Sequence, residues 1–345
     1  MKKNWQTPVL IATAAVAVVT AAAVVALVVI PHLKAARHDP GAALAAKAQG
    51  YYRLENYSDA AAAYDELLRQ YPTSPAAEDA AARKKLCEAK ALFVQARTLG
   101  RSGRYAEAGD VLAAAVPLAP DDVEVNYGVG WVYIQLAMDN AARAQLMGGA
   151  AAGDYLIRTR ALAELGRARF ERCKKLDAKH WGGYRGMALY YIFIQEYAKG
   201  LTELAEADKY SVRPEEKVAV ARLRFQAYAG AGKMEDAKKV VDDLLKKYPD
   251  RGDVYLSLAE YYLRLPQPDV TEAAKALEVG LTKDFDDAGS KTQLYLTLSR
   301  LRLTAGDADG ALAAVDAALE MDPFNGVLTD QYAVCYEIKA RMPAK

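Results

Sequence analysis

The stretch Gly306–Pro323, GDADGALAAVDAALEMDP, holds the pattern that decides the fold of this 345-residue chain. Apolar residues stand at the fifth, ninth and twelfth positions after the glycine, and a proline stands at the seventeenth. Residues three or four positions apart share one face of a helix, so Ala311, Val315 and Ala318 form an apolar stripe. Glycine allows the turn into such a helix, and proline ends the helical run beyond it. The stretch therefore predicts one helix of a helical hairpin.

The same spacing recurs along the chain. Stretches that begin at Gly103 and Gly232 repeat it in full, and a third stretch has Glu55 in the position of the glycine. With weaker matches included, the spacing predicts seven hairpins, each with a small anchor residue in its second helix. These anchors are Ala60, Ala108, Gly166, Gly200, Ala237, Ala273 and Ala311.

This pattern resembles the second helix of a tetratricopeptide repeat, a helix–turn–helix unit of about 34 residues. The resemblance implies an all-α, right-handed superhelix (an α-solenoid) of about seven hairpins over residues 42–325. Residues 326–345 are more polar and are expected to form a capping helix, which a repeat stack needs at its end. The short stretch Tyr71–Ala80, YPTSPAAEDA, is also similar to repeats of bacterial envelope proteins of the outer-membrane-assembly and Tol-Pal type.

The interval between the first two anchors is longer than one repeat. Ala60 and Ala108 are 48 residues apart. Ser74 is a typical helix N-cap, and the proline after it suits the first position of a helix. The extra residues therefore predict one long helix over Pro75–Leu99.

The next interval is longer still, because Ala108 and Gly166 are 58 residues apart. The added residues are rich in alanine, arginine, leucine and methionine, which favour a helix. They predict an elongated third hairpin over residues 122–177, with Gly148–Gly153 as its turn and a second helix over Tyr155–Leu176. A loose loop is the alternative.

An apolar run at residues 9–30 predicts a membrane anchor. About 20 uncharged, aliphatic residues span a bilayer as a helix, whereas a cleaved signal peptide has an apolar region of roughly 7–15. A single-pass anchor followed by a linker over residues 31–41 is therefore expected, with a cleaved signal peptide as the alternative. Lys2 and Lys3 precede the run, so the positive-inside rule places residues 1–8 in the cytoplasm and the repeats outside it, in a bacterial periplasm.

The composition and motifs of the sequence do not favour a nucleic-acid-binding, metal-binding or enzymatic function. The net charge of +1 argues against a nucleic-acid-binding surface. Cys87, Cys173 and Cys335 are far apart, and the three histidines stand at no metal-ligand spacing. Phosphate-binding glycine loops and the hydrolase nucleophile motif do not occur. The sequence predicts no catalytic, metal-binding or cofactor-binding residue, and an enzyme with an unrecognised site stays open as an alternative.

Recognition of another protein is the function that the resemblance implies. In the family, the first helix of each hairpin lines a concave groove. When the groove-lining positions of the family are transferred to this chain by their spacing, they give a set of candidate groove residues. These are Tyr52, Arg97, Tyr127, Trp131, Arg185, Arg222 and Arg300. Arginine and aromatic residues dominate binding hot spots, although ordinary solvated groove residues would have the same spacing.

Two functions follow from these expectations. The first is a membrane-tethered scaffold or adaptor that binds a protein or peptide partner in its groove. Arginine holds carboxylates in a bidentate manner, so an acidic or C-terminal segment is the expected ligand. The alternative is an accessory subunit of a membrane-associated complex for envelope assembly, secretion or electron transfer. Such a subunit would dock through the elongated hairpin.

Overall fold

The computed structural model describes residues 39–101, 104–146, 149–285, 288–323 and 325–341. These residues form fifteen α-helices and no β-strand. In chain order the helices are α1 (Pro40–Arg53), α2 (Tyr57–Gln70), α3 (Ala80–Arg101), α4 (Tyr105–Ala115), α5 (Val123–Leu146), α6 (Gly149–Leu176), α7 (Trp181–Phe193), α8 (Tyr197–Tyr210), α9 (Pro214–Gly230), α10 (Met234–Lys247), α11 (Gly252–Leu263), α12 (Val270–Leu281), α13 (Ala288–Thr304), α14 (Ala308–Leu319) and α15 (Gly326–Arg341).

The helices follow one another as seven pairs, from α1 with α2 to α13 with α14, and α15 comes last. Each predicted anchor lies in the second helix of its pair, and all seven are buried. The anchors are small because the paired helices approach closely at these points. At Gly166, for example, an added Cβ would lie 2.9 Å from Ile134 and 3.0 Å from the carbonyl oxygen of Gly130. The predicted all-α repeat fold is confirmed.

The first of two compact units comprises described residues up to 96 together with 110–125. Its core lies between α1, α2 and α3, where Leu44, Tyr64, Leu67 and Cys87 are buried. Burial raises the pKa of the Cys87 thiol to about 11. This cysteine is therefore an uncharged, apolar core residue at neutral pH.

The second unit comprises described residues 97–109 and 126–341. Its largest core cluster joins α5 to α9 and contains Ile134, Phe170, Met187 and Leu204. Further clusters fill the hairpins from α9 to α14 and the packing of α15. Each cluster lies between neighbouring helices, as in a repeat protein.

The start of the repeats differs from the prediction. Helix α1 begins at Pro40, within the expected linker, because the Asp39 carboxylate accepts a 2.8 Å hydrogen bond from the Gly41 amide and caps the helix. The Ser74 hydroxyl donates a 3.0 Å hydrogen bond to the same carboxylate. This contact holds Ser74 beside the start of α1, so the chain changes direction before α3 begins.

The long helix predicted over Pro75–Leu99 is consequently wrong at its beginning. Pro75–Ala77 form a single 3₁₀ turn, capped by Ser74, whose hydroxyl accepts a 3.2 Å hydrogen bond from the Ala76 amide. A turn follows, and α3 starts only at Ala80. The sequence identified the cap correctly but not the change of direction that follows it.

The third hairpin is elongated and helical on both sides. Helix α5 has 24 residues and α6 has 28, so the loose-loop alternative is wrong. The turn predicted over Gly148–Gly153 is also wrong in most of its length, because α6 already begins at Gly149. A helical glycine costs only about 1 kcal/mol relative to alanine, and three alanines lie within this stretch. Residues 147 and 148 lie outside the described residues.

The predicted membrane anchor at residues 9–30 lies outside the described residues, as do the head and most of the linker. None of the helices in the described part of the chain combines the length and apolar character needed to cross a bilayer.

Candidate functional site

An open cavity of about 590 Å³ lies in the second unit. Helix α5 contributes Trp131, Gln135 and Met138 to its wall, and α7 contributes Arg185 and Leu189. These residues are three or four positions apart on each helix, so each set forms one helical face. Both α5 and α7 are first helices of their hairpins.

Helix α9 forms the middle of the cavity. Glu215, Ala219, Arg222, Leu223 and Gln226 line it, again at the spacing of one helical face. The cavity wall therefore combines aliphatic and aromatic surface with arginine and amide groups. We call this surface the groove.

The start of α9 is fixed by a buried carboxylate. Glu216 accepts hydrogen bonds from the amides of Val212 and Arg213, at 2.8 and 3.1 Å, and from the Arg213 guanidinium at 2.8 Å. Burial alone would raise the pKa of Glu216, but these hydrogen bonds outweigh it and lower the pKa below its usual value. The carboxylate is therefore ionised at neutral pH and satisfies the free amides at the start of α9.

The far end of the groove is lined by α11 and α13. Arg251 and Asp253 line it beside Ser290. The Arg251 guanidinium donates two hydrogen bonds to the Asp253 carboxylate, at 3.1 and 3.0 Å. Both side chains are largely buried, with exposed fractions of 17% and 12%. This pair is internally neutral, so it adds little net charge to the groove.

Arg185 has no such carboxylate. Its guanidinium donates a hydrogen bond to the Tyr127 hydroxyl and lies 5.8 Å from the centre of the Trp181 ring. Tyr127 and Trp181 also contact each other, with ring centres 6.2 Å apart. No described carboxylate pairs with Arg185, and its Nε atom is buried without a hydrogen-bond partner. Aromatic groups therefore hold this guanidinium in place while its charge stays uncompensated.

Arg222 is the second uncompensated cation. It is half-buried in the groove and makes no hydrogen bond or ion pair with a described residue. The nearby acid Glu215 already pairs with Arg213 at 3.1 Å. The middle of the groove therefore carries net positive charge beside apolar surface.

The groove thus runs along α5, α7, α9, α11 and α13, the first helices of five successive hairpins. This is the arrangement that the family resemblance implied. The sequence profile described as tetratricopeptide repeat matches residues 34–75, 45–123 and 222–288. These stretches are tetratricopeptide repeats.

Several solved structures are similar to this chain at low sequence identity. A tetratricopeptide repeat protein from Parabacteroides merdae is 14% identical, with 85% of this chain and 97% of that chain covered and a TM-score of 0.53. PilF from Pseudomonas aeruginosa is 15% identical, covers 75% and 99% of the two chains, and has a TM-score of 0.41. Yeast Tom70 is 12% identical, covers 90% and 84%, and has a TM-score of 0.35. No curated protein matches the chain significantly in sequence.

The structure brings four of the predicted groove residues of this repeat protein together. Trp131, Arg185 and Arg222 line the groove, and Tyr127 holds Arg185 from behind. They come from three different helices that are far apart in sequence. Their proximity follows from the repeat packing.

The other three predicted residues lie elsewhere. Tyr52 lines a separate cavity of about 440 Å³ in the first unit, beside the buried side chains of Tyr64 and Cys87. Arg97 on α3 and Arg300 on α13 are exposed and line neither cavity. Equivalent positions along a first helix therefore do not all reach the groove.

Several groove residues were missed. Gln135 and Met138 follow Trp131 at helical spacing, and this spacing could have identified them. Arg251, the partner of Asp253, could not be found in this way, because it precedes the first residue of α11. Their mutual pairing is visible only in three dimensions.

Described histidine, cysteine and acidic side chains form no cluster of three or more that could hold a metal ion. The groove instead offers guanidinium groups, amide groups and aromatic surface. These groups suit the binding of a polypeptide segment.

Proposed function

We propose that this repeat protein is a membrane-tethered scaffold that binds an acidic segment of a partner protein in its groove. The observation that carries the proposal is the pair of guanidinium groups at Arg185 and Arg222, which have no carboxylate partner among the described residues. A half-buried cation without a counter-ion favours an anionic ligand.

The groove matches a peptide better than a small anion. Gln135 and Gln226 offer amide groups that can bond to a peptide backbone, and Trp131, Leu189 and Leu223 offer apolar surface for side chains. Arginine binds a carboxylate through two parallel hydrogen bonds. An acidic side chain and a C-terminal carboxylate both supply that group, so an acidic or C-terminal segment with aliphatic residues fits the groove.

A peptide-binding measurement with the full-length chain in detergent tests this proposal. We expect a fluorescent peptide of alternating glutamate and leucine to bind, and its glutamine and lysine counterparts to bind much more weakly. Added salt should weaken binding of the acidic peptide, because salt screens exposed charges. Equal affinity for the three peptides would contradict the proposal.

Two arginines on α9 provide a matched pair of variants. Arg222→Gln should weaken binding of the acidic peptide about 10-fold or more, the lower end of the range for one hydrogen bond to a charged group. Arg224→Gln should leave binding unchanged, because Arg224 lies outside the groove, 3.3 Å from Asp208. A larger loss from Arg224→Gln than from Arg222→Gln would place the binding surface on another face of α9.

The tether is supported by the apolar run of residues 9–30. Anchoring would raise the concentration of the groove beside partners at the same membrane. Lys2 and Lys3 before the run support a periplasmic location of the repeats. Carbonate extraction of cell membranes checks the tether, since the full-length chain should stay in the pellet; its recovery in the supernatant would contradict the anchor.

A further inference from the structure

The first unit has a cavity of its own, with a volume of about 440 Å³. Side chains from three helices line it, and these include Tyr52 and Arg53 of α1, Tyr64 of α2, and Arg83, Leu86 and Cys87 of α3. A volume of this size lies within the range of small-molecule sites, roughly 300–1,000 Å³. We call this space the first-unit cavity.

Two guanidinium groups give the first-unit cavity a positive charge. No carboxylate is among the described residues that line it. Arg53 is exposed and forms no ion pair or hydrogen bond with a described residue. Arg83 lies 3.8 Å from Asp79, and the two side chains are 50% and 77% exposed. An exposed pair of this kind contributes little, so Arg83 is also able to bind an anion.

The nearest acids line a different space. A smaller cavity of about 180 Å³ is also lined by Tyr64 and Arg83. Glu78 and Asp79 line this smaller cavity and not the first-unit cavity. Arg53, in contrast, lines only the first-unit cavity. The excess of positive charge therefore lies in the larger of the two spaces.

The innermost wall of the first-unit cavity is formed by side chains that are almost fully buried. Tyr64 is 2% exposed and Cys87 is 1% exposed. Burial raises the pKa of both groups, and the charge of Arg83 opposes this increase at each of them. Arg83 is therefore close enough to this wall to act on it electrostatically. Tyr52 and Leu86 are half-buried and add aromatic and aliphatic surface.

We infer that the first-unit cavity binds a small carboxylate with an apolar body. Arg53 and Arg83 would hold the carboxylate, because a guanidinium group binds it through parallel hydrogen bonds. The apolar body would pack against Tyr52 and Leu86 and remove their apolar surface from water.

The shape of the first-unit cavity favours a small molecule over a polypeptide segment. All of its lining residues come from three helices of one unit, whereas the groove extends over five first helices. A concave, mostly apolar wall with a few polar groups is typical of small-molecule sites. The cavity therefore suits a compact ligand, and the groove suits an extended one.

Calorimetric titration of the full-length chain in detergent tests the inference, with protein-free micelles as the blank. The probe is 2-naphthoate, a rigid aromatic carboxylate. We expect a dissociation constant of roughly millimolar size, as for other ligands of about a dozen non-hydrogen atoms. The uncharged 2-naphthamide should bind about 10-fold more weakly or worse, because it cannot accept charge-assisted hydrogen bonds. Equal affinity for the two probes would overturn the inference.

Two basic residues of α3 provide the matched variants. Arg83→Gln should weaken binding of naphthoate about 10-fold or more. Lys85→Gln should leave binding unchanged, because Lys85 is exposed and does not line the cavity. Circular dichroism should show equal helix content in both variants. Equal affinity of the two variants for naphthoate would overturn the assignment of the site.

Asp79→Asn should have the opposite effect to Arg83→Gln. It removes the acid that partly compensates Arg83, so naphthoate should bind about 2-fold more tightly. A gain of affinity cannot come from a variant that fails to fold. Weaker binding in this variant would contradict the proposed role of Arg83.

The first-unit cavity shares no residue with the groove, so the inference is independent of the proposed function. Arg222→Gln should weaken binding of the acidic peptide and leave binding of naphthoate unchanged. Naphthoate binding that is lost in Arg222→Gln but kept in Arg83→Gln would overturn the inference, because the carboxylate would then lie in the groove.

A short peptide with a C-terminal phenylalanine tests the size of the ligand. It offers the same carboxylate and an aromatic body, but it also carries a polypeptide chain. We expect it to bind more weakly than naphthoate. Tighter binding of this peptide that is lost in Arg83→Gln would overturn the small-molecule assignment in favour of the end of a polypeptide.

Discussion

Replacing Arg185 and Arg222 together by glutamate is expected to weaken binding of an acidic peptide by about 100-fold or more. Each substitution removes a cation and adds an anion at the place where the ligand carboxylates would lie. A combined loss of about 3 kcal/mol corresponds to that factor. Fluorescence anisotropy with the full-length chain measures it directly, and the lysine-containing peptide should gain affinity in the same variant.

The chain offers a control with the same change in net charge. Arg97 and Arg300 are also arginines of first helices, but both are exposed outside the groove. The double variant Arg97→Glu with Arg300→Glu should bind the acidic peptide almost as well as the wild type. A similar loss in both double variants would show that binding depends on the overall charge of the protein, and the groove would then not be the site.

Phe170→Ala is expected to destabilise the second unit by about 3–5 kcal/mol, the usual cost of removing a buried aromatic side chain. The Phe170 side chain is fully buried between α5, α6 and α7. Its ring occupies space that glycines on the neighbouring helices leave open. An added Cβ at Gly130 would lie 2.6 Å from the ring, and one at Gly186 would lie 2.2 Å from it. Urea unfolding followed by circular dichroism measures the loss.

A double-mutant cycle separates this packing from a general loss of helix stability. Gly186→Ala alone should destabilise the wild type by about 1–3 kcal/mol, because its methyl group clashes with the ring. In the Phe170→Ala background the same change should be neutral or stabilising, since the methyl group then fills part of the cavity. Additive effects of the two substitutions would contradict the proposed contact.

The repeats could be predicted from sequence because their signal is local and recurs. Each anchor from Ala60 to Ala311 is small for the same reason, namely close packing within its hairpin, so one well-defined stretch identifies the others. The exceptions depend on contacts between distant residues. The hydrogen bond from Ser74 to Asp39 interrupts the predicted long helix. No local sequence pattern indicates this contact.

The groove could be predicted in part for a similar reason. Spacing along a first helix correctly indicates which face Trp131 and Arg222 occupy. It does not indicate whether the charge of a side chain is compensated by another residue of opposite charge. Arg185 lacks a carboxylate partner whereas Arg251 has one in Asp253, and that difference decides the electrostatics of the site.

The groove is shared by five successive hairpins, and this has a consequence for folding cooperativity. In a repeat protein each hairpin packs only on its neighbours, so one end can open while the other stays folded. A segment bound along α5 to α13 would contact hairpins that do not touch one another. Binding would therefore couple their unfolding into a single transition, and hydrogen exchange would slow together across the groove-lining helices. The bound partner would therefore stabilise the folded hairpins together, in addition to occupying the groove.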